Sequence, residues 1–337
     1  MHMADALISP VVGGVMWAAT VGTGALSLKT LGAKHDDRRL ALMGVAGAFV
    51  FAAQMINFSI PGTGSSGHLG GGLLLAALLG PYAGFLVMAS VLAVQALFFA
   101  DGGLLAFGCN VFNLAFFSCF IAYPLIFKPM ARRSPRTGTV IGASLLAAIA
   151  GLQLGAFGVV LETLLSGRTE LPFGTFVLLM QPIHLAIGVV EGLVTAALLA
   201  AVRRARPEVL AASLEDRPYR GAPLRPLILG GILLALVAGG LLSRFASAWP
   251  DGLEWSMEKT SGRTELEAGS AVHEAFAGVQ EKTAFLPDYD VRAPRWPSVS
   301  AGTSLSGVLG AGIVLAVVLV VGVVGRLLRK RETRSSA

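Results

Sequence analysis

The sequence predicts an all-α, polytopic membrane protein, and three observations carry that reading. Apolar residues make up 54% of the 337 and charged residues only 14%. Mean hydropathy is +0.72. Uncharged runs long enough to cross a bilayer recur along the chain, separated by short basic clusters. No soluble domain of this size hides so much apolar surface, and a disordered chain is poor in it. Abundant Gly and Ala suit helices that approach closely in lipid.

The expected spans are the apolar runs 10–28, 40–58, 69–100, 104–127, 137–161, 171–202, 226–243 and 305–325, uncharged except for Glu191. Each reaches the ~18–20 residues that cross hydrocarbon as helix. The run 69–100 is too long for one crossing and breaks at LLGPYAG, where Gly80-Pro81 makes a sound turn. Nine crossings result, the third one short. Seven of them, in residues 1–205, form a helical bundle with short connections. Residues 206–225 read as a charged linker, and 226–337 as two further spans separated by a long connection at about 246–297.

Four clusters, KTLGAKHDDRR, KPMARRSPR, RRARPEVLAASLEDRPYRGAPLR and RLLRKRETR, hold 19 of the 26 Lys and Arg residues. The positive-inside rule assigns them to the cytoplasm. That places the N-terminus outside and the C-terminus inside a multi-pass protein of the cytoplasmic (inner) cell membrane. The same scatter excludes nucleic acid as partner: the pI near 9.7 reflects topology signals, not one phosphate-binding face. No basic residue precedes the first apolar run, so it reads as a retained span and not a cleaved signal. Cys109 and Cys119, ten residues apart on a helix, would lie ~15 Å apart, too far for a disulfide. They read as small buried side chains.

The chain opens MHMADALISP. A free terminus with histidine second is a ready chelate. The Met1 α-amine and the His2 backbone nitrogen close a five-membered ring on a metal, and the His2 nitrogen with its own Nδ1 closes a six-membered ring. Three nitrogens then share a plane, with one corner left for a remote donor. His68, in IPGTGSSGHLGGG, is the candidate; six glycines from Gly62 to Gly72 leave backbone against which another segment can pack. Four planar nitrogens suit Ni(II) or Cu(II) and can hold Co(II). Such binding releases protons and weakens as pH falls. Against this stand the plainer readings, a frayed terminus at His2 and a structural His68. GTGSSG lacks the Gly-Lys-Ser/Thr ending of a nucleotide loop.

His184 and Glu191 share a helix face in QPIHLAIGVVEGLVTAALLA. Ionisable groups at that depth face the bundle interior, where packing roles compete with metal contact. Asp101 reads as an interfacial turn residue, Asn110 and Asn113 as hydrogen bonds between helices, and Met3 as an apolar anchor. HEAFA starts like a zinc-peptidase helix but has Ala277 where the second histidine must stand.

Taken together, MHMADALISP, the stretch from PGTGSSGHLGGG through ADGGLLAFGCNVFN, and QPIHLAIGVVEGLVTA resemble the metal-capture (M) component of cobalt/nickel energy-coupling-factor transporters, the CbiM/NikM family. The C-terminal part, with PDGLEWSMEK and AFLPDY in a two-span frame, resembles the small N component, here fused to M. The resemblance covers nearly the whole chain. It implies an N-terminus tucked into the bundle, with metal held by Met1, His2 and His68. It further implies a membrane-embedded coupling (T) subunit and two cytoplasmic ATPase subunits as partners, and an outside loop that helps load metal or hold the site closed. Where the family often has a Pro-Asp-Gly-like turn after the Met-His pair, this chain has Ala4-Asp5-Ala6. Asp5 matches the acidic position and is expected to orient His68 or another donor. Asp5, Ser66, Asn110, His184 and Glu191 form the expected set supporting the ligands or the helix packing.

The sequence thus predicts a transporter subunit and not an enzyme, without a resident cofactor. By the resemblance it is expected to capture Ni²⁺ or Co²⁺ as substrate, and it has no Walker motif with which to drive transport alone. Two other classes remain open at this level: a membrane metal sensor or assembly factor without transport, and an intramembrane metalloenzyme using His184 and Glu191.

Overall fold

The computed structural model describes residues 2–32, 37–134, 136–219, 223–267, 269–290 and 299–335. Its helices follow the uncharged runs. In chain order they are α1 (Pro10–Gly32), α2 (Asp37–Gln54), α3 (Gly72–Leu79), α4 (Pro81–Phe99) and α5 (Phe107–Arg133). After these come α6 (Thr137–Leu165), α7 (Phe173–Ala205), α8 (Pro207–Leu214), α9 (Arg225–Phe245), α10 (Gly252–Ser261), α11 (Ala271–Thr283) and α12 (Val299–Ser335). Seven are long and apolar enough to cross a bilayer: α1, α4, α5, α6, α7, α9 and α12. Helix α2 is shorter and apolar over Arg39–Gln54. The chain is an all-α, multi-pass membrane protein. Its lipid-facing surface is what the composition demands, with Val11, Val15, Val21 and Leu26 of α1 and Leu178 of α7 pointing outward.

Helices α6 and α7 pair along their length, and α5 packs on both α3 and α6. Helices α9 and α12 lean on α2, so the C-terminal pair is seated against the first bundle. Polar contacts fasten α1 to the start of α5: Trp17 Nε1 donates to Leu104 O at 2.9 Å and Thr20 Oγ1 to Gly108 O at 2.9 Å. Helix α5 is wound with wide π turns over Phe112–Phe127 and contains Pro124, which has no N–H to give.

Three features depart from the sequence expectation. The third crossing is not a continuous helix from residue 69. Helix α3 has eight residues, about 12 Å, well short of a ~30 Å hydrocarbon core. A hairpin of β1 (Phe58–Ile60) and β2 (Ser65–Gly67) and an extended arm through His68 precede it. The break at Gly80-Pro81 is where the sequence put it, with Gly80 at φ +77°. Second, the charged stretch 206–225 contains α8, which packs under α3: Tyr123 Oη donates to Ser213 O at 3.2 Å and Ser213 Oγ to Ala76 O at 3.3 Å. Third, the long connection 246–290 carries α10 and α11, short helices that charge and length had left unassigned.

The close approach of α1 and α5 depends on Gly108. A Cβ there would lie 2.4 Å from the Trp17 backbone nitrogen, whereas one at Gly14 would meet nothing within 4 Å. Gly108→Leu is therefore expected to destabilise the bundle by ~1–3 kcal/mol or more, lowering the melting temperature of the detergent-solubilised protein. Gly14→Leu should melt like wild type in the same assay. Equal melting of both variants would contradict this packing.

Candidate metal site

The leading segment runs inside the bundle, not over its surface. Met3 is fully buried, and Asn110 grips it twice: Met3 N donates to Asn110 Oδ1 at 2.7 Å, and Asn110 Nδ2 donates to Met3 O at 3.1 Å. Gly103 N donates to the same Met3 carbonyl at 2.8 Å. One turn of 3₁₀ helix, Asp5–Leu7, follows. Asp5 does not orient His68. Its Oδ1 accepts the Ala106 amide at 2.8 Å, and burial raises its carboxyl above the ordinary value. Only glycine fits opposite, since a Cβ on Gly103 would stand 1.8 Å from Asp5 Oδ1. The segment is closed by His273 of α11, whose Nε2 donates to Ile8 O at 3.0 Å while Ser270 Oγ holds its Nδ1 at 2.7 Å. That is the structural use of the discarded HEAFA histidine.

This path delivers His2 face to face with His68. The two imidazoles stack with centroids 5.0 Å apart and planes 3° from parallel. His2 Nδ1 lies 3.2 Å from Asp101 Oδ1, and Tyr289 Oη donates to Asp101 Oδ2 at 2.5 Å. Burial works against the Asp101 carboxylate, but the His2 ring and the two hydrogen bonds hold its pKa at about 2. Tyr289 is wedged between Phe99 and Phe51, with ring centroids at 5.0 and 6.4 Å. Burial and the adjacent Asp101 charge keep its phenol protonated well above the usual range. Asp101 is thus more than a turn residue: it is the charged partner of His2. His2 Nε2 is buried without a hydrogen-bond partner.

His68 arrives on the extended arm, which is tied down on either side of the imidazole. Glu191, inside α7, accepts Gly70 N at 2.7 Å and Gly71 N at 3.1 Å. Gln54 Nε2 donates to Gly70 O at 2.8 Å, and Gln54 Oε1 accepts from Gln95 Nε2 at 2.8 Å. The hairpin before His68 pairs with the chain entering α10: Ser66 N donates to Pro250 O at 2.8 Å and Ser66 Oγ to Trp249 O at 2.7 Å. Trp255 Nε1 reaches Thr63 O at 3.0 Å.

The sequence Pro250-Asp251-Gly252-Leu253-Glu254 explains that grip. Asp251 caps α10 by accepting Leu253 N at 2.8 Å and Glu254 N at 2.9 Å, and Glu254 Oε2 accepts Asp251 N at 3.0 Å, a complete capping box. Gly252 sits tightly, since a Cβ would meet His184 Cε1 and Ile183 Cγ2 at 3.1 Å. Leu253 is buried below. The cap carboxylate then faces His68, with Nε2 to Oδ2 at 3.8 Å. Burial is the main cause that lowers the His68 pKa below its ordinary value. Burial acts against the Asp251 carboxyl as well, yet its hydrogen bonds and the His68 ring hold it well below the usual range.

The structure therefore brings His2 and His68 together and places Asp101 and Asp251 behind them. Met1 lies outside the described residues. Asn110 supports Met3, Ser66 fastens the hairpin, and Glu191 anchors the arm. His184 donates Nδ1 to Met180 O at 2.8 Å within its own helix, and its Nε2 is without a partner. Among the described residues, no three His, Cys, Asp or Glu side chains stand close enough together to hold a metal ion.

Removing the Glu191 carboxylate would leave two buried amides unpaired, at ~1–3 kcal/mol each. Glu191→Ala should accelerate hydrogen exchange at Gly70 and Gly71 by tenfold or more, with little change at the Asn110-bound Met3 amide. Unchanged exchange at both glycines would contradict the anchoring role.

Residues 2–209 match the family described as the cobalt uptake substrate-specific transmembrane region, and residues 225–328 match the PDGLE domain. A fused nickel transport protein, NikMN, of Rhodobacter capsulatus is 33% identical over 346 residues, covering 94% of this chain and 95% of its own. The cobalt transport protein CbiM of Geobacter sulfurreducens is 30% identical over 275 residues, covering 77% of each. A crystal structure of a transition metal transporter superposes with TM-score 0.55 at 28% identity, covering 62% of this chain and 95% of that one.

Proposed function

Because the chain belongs to the cobalt uptake substrate-specific transmembrane family, with a PDGLE domain fused behind it, we propose that it captures Ni²⁺ or Co²⁺ between its first residues and His68. The stacked His2–His68 pair carries this reading. Met1 supplies its α-amine, His2 its backbone nitrogen and Nδ1, and His68 the fourth nitrogen. His2 Nδ1, now beside Asp101, exchanges its proton for the ion, and the Asp101 carboxylate stays next to the new charge. The Asn110 clamp on Met3 fixes the chelate, and the PDGLE cap holds the His68 arm against it. Capture takes place on the extracytoplasmic side, at the bundle end away from the basic clusters. Delivery inward is driven by a membrane-embedded coupling (T) subunit with two cytoplasmic ATPase subunits. The α-amine can serve only in a chain whose first residue is an unformylated Met1, which intact-mass spectrometry reads directly.

Extending the chain by two residues before Met1 replaces the amine by an amide and shifts the chelate. Calorimetric titration should then show at least a hundredfold weaker Ni²⁺ binding. His68→Ala should weaken binding but leave a measurable tridentate remnant. Wild-type affinity in the extended chain would overturn the proposal.

Acidification should weaken binding through proton competition at the amine first, whose ordinary pKa is ~7.7–8.0. His68 contributes later, because burial lowers its pKa below the ordinary value. Affinity is therefore expected to fall steadily from pH 8 downward, with proton release seen as buffer-dependent enthalpy. A pH-independent affinity would contradict nitrogen ligation at the terminus.

A further inference from the structure

A large cavity, of about 690 Å³, opens onto the His2–His68 pair from the side of α10. Among the described residues its charged lining is mostly acidic. Asp5, Asp101, Asp251, Glu254, Glu265 and Asp288 contribute carboxylates, and among the described lining residues only Arg244 is basic. The chain as a whole carries a formal charge of +6, so this is a local reversal of the overall balance. The carboxylates are also graded along the cavity. Glu254, Glu265 and Asp288 are exposed, whereas Asp101 and Asp251 lie deeper, against the His2 and His68 rings. At the inner end His2, with a side chain only 8% exposed, lines the cavity and has an Nε2 without a hydrogen-bond partner.

We infer that this cavity is an electrostatic vestibule, a separate outer binding region in which a hydrated divalent cation collects before it sheds water at the histidines. The inference rests on the capture reading above and adds the species taken up: the aqua dication, or a cationic complex, and not an anionic metal chelate. Low-dielectric walls lined by charge of one sign focus the field and raise local counter-ion concentration and on-rates by about 10–10³. An anionic chelate meets the same field as a barrier. The outer carboxylates are free of any need to match the planar geometry of the inner donors. They act through charge and through bound water, so they set how fast an ion arrives and not how tightly it is finally held.

Stopped-flow quenching of Trp249, which lines the same cavity, reads the kinetics of aqueous Ni²⁺ binding to the full chain in nanodiscs. The wild-type association rate should fall at least tenfold between low salt and about 0.5 M salt, where the screening length contracts to a few Å. Glu265→Gln with Asp288→Asn should lower the low-salt association rate by three- to tenfold, converge with wild type at high salt, and leave the dissociation rate unchanged. The wild-type salt series stands even if the variant fails to fold. Tight Ni²⁺ binding at a rate indifferent to salt would overturn the vestibule while leaving capture intact, as would a variant altered only in dissociation. A wild-type chain that binds no Ni²⁺ at all would overturn the capture reading itself.

Discussion

One carboxamide holds the beginning of the chain inside the bundle. Asn110 both accepts from and donates to the Met3 backbone, at 2.7 and 3.1 Å, in a setting where neither peptide group has water as an alternative. An unpaired buried donor or acceptor costs ~1–3 kcal/mol, so the pair of bonds selects one register of the leading segment. Slipping the segment by a residue would break both and drive the Asp5 carboxylate away from Ala106. With Met3 fixed, His2 has one place to stand, and that place is opposite His68. The site follows from backbone registration more than from side-chain chemistry.

The opposing half poses a harder physical problem, because the arm that carries His68 is not helical. Extended backbone at membrane depth survives only when its polar groups are satisfied by protein. Here Glu191 takes the Gly70 and Gly71 amides, Gln54 gives to the Gly70 carbonyl, and Pro250 takes the Ser66 amide. Placing a carboxyl group within α7 is costly in lipid, and two hydrogen bonds from adjacent amides offset that cost. The C-terminal part enters the same scheme. Its capping box orients Asp251 towards His68, and its Tyr289 orients Asp101 towards His2. Each imidazole thus has one carboxylate behind it, and both carboxylates depend on residues from 250–290. A chain that fuses these two parts supplies those contacts in fixed stoichiometry.

Much of this was legible in the sequence. Span positions follow from uncharged length, the α3–α4 break from Gly80-Pro81, and the pairing of His2 with His68 from the chelating chemistry of MHM and the bare glycines. The short α3 was not legible, because Leu69–Leu79 is apolar enough to pass as helix; only the need of Gly70 and Gly71 for an acceptor distinguishes an extended arm. Asp251 and Glu254 form a D-x-x-E capping signature that could have placed the start of α10 from sequence alone. Asp101 was read as a turn residue because its partners, His2 and Tyr289, lie 99 and 188 residues away, beyond any local pattern. The Asp5 contact was illegible for a similar reason: its partner is the Ala106 amide, and backbone donors leave no mark on composition.

The account stands on the leading segment being a metal chelate completed by His68. An anomalous difference map at the nickel edge, from crystals of the Ni²⁺-loaded full chain, examines that most directly. The expected result is one dominant peak within bonding distance of the first two residues and the His68 ring, with Asp101 and Asp251 beyond direct ligation. A peak seated instead at His184 and Glu191, or in the carboxylate-lined cavity with the His2–His68 pair bare, would contradict it.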